Sequence, residues 1–211
     1  MKRLLISILC FLPLALMAKS NDDSKYLSGA VPEENGQICF KKSFRVPNKS
    51  AQEIKQTLEA WAQRLVDESI SAPGNYARMM ENTDNHLVAR VCEWLVFKKK
   101  ALNLDRTRFR YQLEVNVDGN RVTLAANQLY YYYGEDMDGY RGELFKAEEW
   151  ISDKEALNKS KTKLYPKSAK FRRKTVDRME ELFDSAMDAF EVPEPKIEEV
   201  KKPVRKAIIE D

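Results

Sequence analysis

The sequence predicts a two-layer α+β domain, in which two main amphipathic helices cover one face of an antiparallel sheet of about four strands. A clean alternation of apolar and polar residues over 109–117 is followed by a tight-turn signal and a second apolar strand. Two further apolar segments have the length and flanking turn residues of strands. Two longer segments repeat apolar residues at helical spacing, and each needs a sheet to bury its apolar stripe.

Residues 1–18 have the pattern of a secretory signal peptide rather than of a folded element. Lys2 and Arg3 precede an apolar run that ends at Met17, and Ala18 is a small residue suited to cleavage. The run is too short to span a bilayer, so we expect an exported chain, periplasmic or at the cell surface, with no transmembrane segment after cleavage. Cleavage would lower the formal net charge from +3 to +1, a value that indicates no class of partner.

The chain after the signal peptide begins with a polar stretch, residues 19–35, which we expect to be a flexible leader. The first strand covers residues 37–46. Ser50 and Glu53 then predict a capping box, because the hydroxyl and the carboxylate can each satisfy a free backbone amide at a helix start. The helix that follows carries one apolar stripe, formed by Ile54, Leu58, Trp61, Ala62, Leu65 and Val66.

The middle of the chain contains three of the predicted strands. Residues 67–85 are rich in turn formers and predict a loop, and residues 86–97 predict a strand interior to the sheet, since both faces become apolar. The hairpin strand at 109–117 directs one set of side chains to the core and the other to solvent. The core set is Phe109, Tyr111, Leu113, Val115 and Val117, and the solvent set is Arg108, Arg110, Gln112, Glu114 and Asn116.

The hairpin turn allows two registers that keep the apolar faces matched. A type I′ turn at Asp118-Gly119 places Val115 opposite Val122. A turn centred on Gly119-Asn120 also keeps the apolar sets together, whereas a one-residue slip would send one of them to solvent.

The C-terminal part starts with a glycine- and acid-rich loop at residues 134–145. A short helix headed by Ser152 follows, and a long amphipathic helix spans about 167–190. Several prolines and dense charge in residues 192–211 predict a disordered tail. The sequence therefore predicts a single domain at residues 36–191.

Several short segments, most of them in the C-terminal half of the chain, are similar to a known family. They are WISDK at 150–154, ALNK at 156–159 and KFRRKT at 170–175, together with Val46-Pro47, Ser50 and Trp61. The chain over about 36–190 resembles a family of exported bacterial domains of unknown function, described as having a fold like that of the TATA-box-binding protein (TBP-like). This resemblance implies a curved antiparallel sheet with helices on its convex side, and it transfers no catalytic or ligand residue. A fold alone does not imply DNA binding, and we expect no nucleic acid partner for an exported protein.

Catalytic and metal-binding patterns are weak in this sequence. The single histidine, His86, opens a strand after a polar loop and has no nucleophile motif beside it. One histidine and no Cys-x-x-Cys pair exclude the common zinc sites, and the acidic loop does not place oxygen ligands at the ends of an EF-hand loop. We therefore assign no catalytic residue, metal or cofactor. A hydrolase acting through carboxylates beside residues 135–143 stays open as an alternative.

Two cysteines, Cys39 and Cys92, remain after the signal peptide. An exported protein meets oxidising conditions, so these residues could form a disulfide. Both lie in predicted strands, so they could equally be separately buried thiols.

The candidate contact residues are basic side chains at the start of the long helix and tyrosines at the end of the hairpin. They are Lys170, Arg172, Arg173, Lys174, Tyr131 and Tyr133. Cations near a helix N-terminus oppose the helix dipole, so helix stability does not account for this charge arrangement. An anionic partner would account for it, and so would a solvated basic face. Tyrosines at a strand end could stack against sugar rings or pack against the core.

The sequence thus favours a non-enzymatic exported binding or adaptor domain. Its expected partner is an anionic envelope lipid, a lipopolysaccharide phosphate or another envelope protein. Under this hypothesis, charge reversal at Lys170, Arg172, Arg173 and Lys174 should leave folding intact and abolish association. A structural envelope component that acts as an oligomer is a further alternative.

Overall fold

The computed structural model describes residues 22–100, 103–135 and 141–190. The predicted signal peptide and the predicted tail lie outside these ranges. In chain order the elements are a one-turn 3-10 helix at Ser24–Tyr26, β1 at Glu33–Glu34, β2 at Gln37–Ile38, β3 at Phe40–Arg45, α1 at Ala51–Ser71, β4 at Tyr76–Asn82, β5 at His86–Lys100, β6 at Asn103–Asp118, β7 at Arg121–Tyr133, β8 at Glu143–Lys146, α2 at Glu148–Ile151, α3 at Asp153–Ala156 and α4 at Pro166–Asp188. None of the helices in the described ranges has the length and apolar character that a bilayer crossing requires.

Six strands form one antiparallel sheet in the order β3-β7-β6-β5-β4, and β8 pairs with the C-terminal part of β7. β1 and β2 form a separate two-stranded hairpin. The α+β class, the antiparallel pairing and the interior position of β5 are confirmed, but the sheet is larger than the predicted four strands. β4 and β8 lie in segments that the sequence assigned to loops. β4 is a largely exposed edge strand and β8 has only four residues, so neither carries a strong apolar alternation.

The helices of the described chain pack on one face of this sheet. α1 begins with the predicted capping box, in which Ser50 Oγ accepts from the Glu53 amide and the Glu53 carboxylate accepts from the Ser50 amide. α1 and α4 are joined by a hydrogen bond from Trp61 Nε1 to Ser185 Oγ (3.1 Å). Phe171 of α4 packs against the rings of the sheet beneath it. The opposite face of the sheet, which we call the open face, carries no helix in the described residues.

The β6–β7 hairpin adopts the second of the two predicted registers. Asp118 pairs with Arg121, so the turn residues are Gly119-Asn120, and Val115 lies opposite Leu124 rather than Val122. Gly119 has a positive φ of 58°. A type II′ turn has its glycine at the first central position, which this register provides and the Asp118-Gly119 turn does not.

A β-bulge in β7 changes which side chains face the helices. Between Arg110↔Tyr130 and Gln112↔Asn127, two residues of β7 oppose one of β6, and Gln128 has a φ of 51°. Even-numbered residues of β7 face the core before the bulge, and odd-numbered residues face it afterwards. They are Val122, Leu124 and Ala126, followed by Leu129, Tyr131 and Tyr133. Tyr130 and Tyr132 therefore lie on the open face.

The predicted flexible leader needs correction over residues 22–35. This segment crosses α4, where Lys25 forms ion pairs with Asp177 and Glu180. Val31 is buried in the core, and the segment continues directly into β1. The sequence signal for disorder was the polar composition, yet these polar side chains have charged partners on α4.

Candidate functional site

The basic residues at the start of α4 are largely occupied by partners within the fold. Arg172 is fully buried, and its guanidinium donates to the carbonyl oxygens of Tyr26 (2.6 Å), Leu27 (2.6 Å) and Ile151 (2.5 Å) and to the carboxylate of Asp153 (2.6 Å). Such a side chain cannot contact a partner molecule. The assignment of Arg172 as a contact residue was wrong, because it holds the N-terminal segment to the domain.

The two neighbours of Arg172 on the same helix are also paired. Arg173 forms a two-point ion pair with Asp23, with both distances 2.7 Å. Lys170 Nζ donates to Asp105 (2.8 Å) and to the Tyr133 hydroxyl (2.6 Å). Burial alone would lower the pKa of Lys170, but these hydrogen bonds outweigh it and raise the pKa above its ordinary value. Of the four predicted basic contacts, Lys174 alone is exposed to solvent.

These pairs also explain why α4 tolerates cations near its N-terminus. Acidic side chains from the N-terminal segment, β6 and α3 neutralise them, so the dipole penalty is offset by tertiary contacts. A four-residue charge reversal would break all three pairs, so we expect it to destabilise the fold rather than to leave folding intact.

Asp153, the acid paired with Arg172, has a pKa that its surroundings in the fold lower. Burial alone would raise the pKa of the Asp153 carboxyl, but hydrogen bonds from Arg172 and Ser28 outweigh burial and hold the pKa below its usual value. This carboxylate therefore belongs to the N-terminal attachment rather than to a reactive site.

The two predicted tyrosine contacts also have structural roles. Tyr131 is buried, its hydroxyl lies 2.6 Å from Thr175 Oγ1, and its ring packs edge-on against Phe171. Burial raises the pKa of Tyr131. Tyr133 donates its hydroxyl to Asp105 (2.9 Å) and is covered by Lys170. The assignment of Tyr131 as a partner contact was therefore wrong, because the bulge turns its buried ring toward α4. Tyr133 is half-buried on the same face, and its hydroxyl is engaged with Asp105 and Lys170.

The two cysteines do not form a disulfide. Cys39 and Cys92 are both buried free thiols. Cys39 lies beside β3 and Cys92 in β5, with β7 and β6 between them. Three strand spacings of about 4.8 Å separate them by roughly 14 Å, well beyond the reach of a disulfide.

The open face presents a different basic cluster, which lies on strands. Arg78 of β4 pairs directly with Arg90 of β5, and Arg90 pairs with Gln112 of β6. Like charges directly opposite each other on a sheet repel. Within the described residues, no carboxylate forms an ion pair with Arg78, Arg90 or Arg110. These guanidinium groups therefore differ from those of α4, each of which has an acid beside it.

A cavity of about 230 Å³ lies among these residues on the open face, and we call it the arginine cavity. Its lining residues are Tyr76, Arg90, Arg110, Tyr111, Gln112, Gln128, Tyr130 and Leu144. The side chain of Tyr111 belongs to the core on the helix face, so two phenols, those of Tyr76 and Tyr130, remain for the open face. The cavity lies where the bulge at Gln128 interrupts the β6–β7 ladder. No carboxylate lines it, so an anion would meet positive charge and hydrogen-bond donors there.

Arg110 is the central residue of this cavity. Its Nε is buried and has no hydrogen-bond partner among the described residues. A buried donor without a partner costs about 1–3 kcal/mol, which a bound acceptor would recover. The Arg110 side chain also lies near Cys92; burial raises the pKa of that thiol, and the guanidinium only partly opposes the rise. Arg110 lines the cavity together with Tyr76 and Tyr130.

Sequence reasoning placed Arg108 and Arg110 on the polar face of β6, where the structure finds them, but did not treat them as a site. Arg108 is engaged, because its Nε lies 2.6 Å from Glu135 and its side chain covers the ring of Trp94. Arg110 lacks such a partner. A signal for the bulge was present in the sequence, since the apolar positions of β7 change phase between Ala126 and Leu129.

The acidic loop gives no support for carboxylate catalysis where the structure describes it. Glu135 is held by Arg108, and residues 136–140 lie outside the described ranges. In the described part of the chain, no group of three His, Cys, Asp or Glu side chains could hold a metal ion.

Comparison with known proteins gives a consistent result for the fold. A family described as a domain of unknown function (DUF4468) with TBP-like fold matches residues 40–132. A DUF4468 family protein from Bacteroides ovatus, whose crystal structure is known, shares 36% sequence identity with this chain. The two structures match with a TM-score of 0.72 over 82% of this chain and 96% of that one. A TBP-like protein from Parabacteroides distasonis is 22% identical, with a TM-score of 0.63, over 78% of this chain and 99% of that one, and this similarity concerns the fold alone. No match was found among the curated proteins. The chain therefore belongs to the DUF4468 family of domains of unknown function with a TBP-like fold.

Proposed function

We propose that this protein is an exported, non-enzymatic binding domain that holds an anionic partner on its open face, with the arginine cavity as the anchoring point. The observation that carries the proposal is the contrast between the two basic clusters. Lys170, Arg172 and Arg173 of α4 are each paired with an acid within the fold. By contrast, Arg78, Arg90 and Arg110 have no carboxylate partner among the described residues. An anion placed among them would relieve their repulsion.

The composition of the open face further supports a binding role. Tyr76 and Leu144 are large side chains that are 44% and 53% exposed, and both line the cavity with the arginines. Val96 and Leu104, 37% and 44% exposed, lie on the same face farther along β5 and β6. Surfaces that combine arginine, tyrosine and aliphatic groups are typical of binding interfaces. The export part of the proposal depends on the signal-peptide pattern in residues 1–18, and the expected partner is therefore an anionic component of the cell envelope.

The test is co-sedimentation of residues 19–211 with cell-envelope fractions across a salt series. The cavity variant combines Arg90→Gln and Arg110→Gln. The matched control combines Arg45→Gln and Arg121→Gln, which removes the same charge from an exposed pair on the same sheet face. Arg121 is seven positions from Gln128 and nine from Tyr130 on β7, so the control pair lies roughly 20–30 Å along the strand from the cavity.

We expect association that weakens with salt, is lost in the cavity variant and persists in the control. Equal weakening in both variants would assign the association to general surface charge and contradict the role of the cavity. Absence of association in the wild-type chain at low salt would contradict the proposed partner class. Neither alternative, carboxylate-dependent hydrolysis nor an oligomeric structural role, has a specific observation in its favour.

A further inference from the structure

We propose that the arginine cavity binds one hexuronic acid unit, the carboxylated sugar ring of an acidic polysaccharide. This inference rests on the proposed function and specifies its ligand. It depends on three features of the cavity: its size, the placement of its tyrosines around Arg110, and the mixture of amide and guanidinium groups in its lining.

The size of the cavity fits a single ring. Its volume of about 230 Å³ is below the 300–1,000 Å³ that is typical of sites for drug-sized ligands. A lipid chain would need a deeper and more apolar cavity than one lined by two arginines and two glutamines. The rim is open to solvent, because Tyr76 is 44% exposed and Leu144 is 53% exposed. A bound ring could therefore continue into neighbouring units of a polymer on either side.

The strand ladder determines how the aromatic and charged groups are arranged. Tyr76 pairs with Cys92, Cys92 with Arg110, and Arg110 with Tyr130. The two tyrosines are thus three strand spacings apart, about 14 Å between Cα atoms, with Arg110 between them. Aromatic side chains present flat apolar faces for the C–H groups of a sugar ring, while the guanidinium between them faces the acid group.

The remaining polar groups fit the hydroxyls of a sugar better than they fit a bare anion. Gln112 and Gln128 supply amide N–H donors and carbonyl acceptors, with one donor of Gln112 already given to Glu114 (2.8 Å), and hydroxyl groups both donate and accept. A bare phosphate or carboxylate would use the arginines and leave the amide oxygens without donors. A neutral sugar could place a hydroxyl oxygen on the Nε of Arg110, but it would leave the positive charges of Arg90 and Arg110 without a counter-charge. A uronic acid ring satisfies both sets.

The test is titration calorimetry of residues 19–211 with glucuronate, glucose, acetate, glucose 6-phosphate and trigalacturonate. We expect glucuronate to bind about tenfold or more tightly than glucose or acetate, and trigalacturonate to bind at least as well as glucuronate. Glucose lacks the acid and acetate lacks the ring. Equal affinity for acetate and glucuronate would indicate a simple anion site without sugar recognition. Tighter binding of glucose 6-phosphate than of glucuronate would indicate that the site prefers a phosphate to a carboxylate. Either result would overturn the inference.

Variants separate the two recognition elements. Arg110→Gln should weaken glucuronate binding about tenfold and leave the weak binding of glucose unchanged, because only the acid contact is lost. Tyr130→Ala should weaken both, while Tyr165→Ala, at an exposed tyrosine before α4, should weaken neither. Unfolding midpoints are measured alongside, and Tyr130→Phe keeps the ring in case the alanine variant is destabilised. Unchanged glucuronate binding in folded Arg110→Gln would overturn the site.

The outcome is distinguishable from failure of the proposed function. In one outcome, envelope association requires the cavity arginines and yet is not competed by trigalacturonate. That result would support the proposed binding function and contradict the uronic acid as its ligand. Uronate binding at the cavity without envelope association would retain the ligand and remove the envelope partner.

Discussion

Replacement of Arg172 by methionine is expected to destabilise the domain strongly. The guanidinium is fully buried and donates four hydrogen bonds of 2.5–2.6 Å, to the carbonyls of Tyr26, Leu27 and Ile151 and to the carboxylate of Asp153. Methionine has a similar length and fills much of the space, but it has no donor. The substitution therefore removes hydrogen bonds with little change in packing volume.

The size of the effect follows from the groups left behind. Removal of one partner of a buried ion pair costs about 3–5 kcal/mol, because the other charge stays in place without compensation. The Asp153 side chain is 20% exposed and can recover part of its hydration, and the N-terminal segment can move to hydrate its own carbonyls. We therefore expect a loss of about 4 kcal/mol in the free energy of unfolding. For a domain of this size, that loss lowers Tm by roughly 8–16 °C.

The assay is urea unfolding of residues 19–211 followed by tryptophan fluorescence, with Lys174→Met as the matched control. Lys174 is exposed and lies two positions away on the same helix, so its replacement should change stability by less than about 0.5 kcal/mol. Trypsin should also cleave at Lys25 faster in Arg172→Met, because the segment loses its buried attachment to α4 and keeps only the surface ion pairs of Asp23 and Lys25. Equal stability of Arg172→Met and wild type would refute the assignment of Arg172 as the structural anchor of the N-terminal segment.

Three further outcomes follow from the same contacts. Asp153→Asn should be less stable than wild type at pH 7. The folded pKa of this carboxyl is lowered, so its contribution to stability is present above the unfolded pKa of about 3.9. The stability difference in urea unfolding should therefore shrink as the pH falls below about 4. Tyr131→Phe should cost about 1–2 kcal/mol, since the buried hydroxyl of Thr175 loses its partner, and a neutral effect in thermal unfolding would contradict that pairing. Cys39 and Cys92 should resist alkylation in the native chain and should both react after denaturation without a reductant. An intact mass lower by two hydrogens would instead indicate a disulfide.

The sequence predicted the parts of the fold whose signals are local. The alternation of β6, the Ser50–Glu53 capping box and the apolar stripes of the two helices each depend on residues a few positions apart. β4 and β8 were missed because an edge strand buries few side chains and therefore carries little alternation. The hairpin register depended on whether Gly119 takes the first or the second turn position, and both choices keep the apolar faces matched.

The candidate site was harder to predict because it depends on the pairing of distant residues. The bulge at Gln128 turns Tyr130 to the open face, and the ladder then brings Tyr76 and Arg110 into one row with it. Neither Arg110 nor Arg90 stands out in the linear sequence, since each is one arginine in an alternating strand. The basic residues at the start of α4 are much closer together in sequence, and for that reason the sequence predicted them as the partner contacts.

Charge density along a chain and available charge on a surface are different quantities, and this fold separates them. The basic residues at the start of α4 are adjacent in sequence, but acids from β6, α3 and the N-terminal segment lie against them. The arginines of the open face are far apart in sequence, but the sheet places them next to one another without carboxylates between them. Repulsion among such groups lowers stability, so a sheet that retains them without internal partners gains from a bound anion. If that anion is the partner, neutralising Arg90 should raise the stability of the free domain while it weakens binding. Thermal unfolding of Arg90→Gln with and without trigalacturonate would measure both effects, and a variant that is less stable without ligand would contradict the repulsion on which the site was inferred.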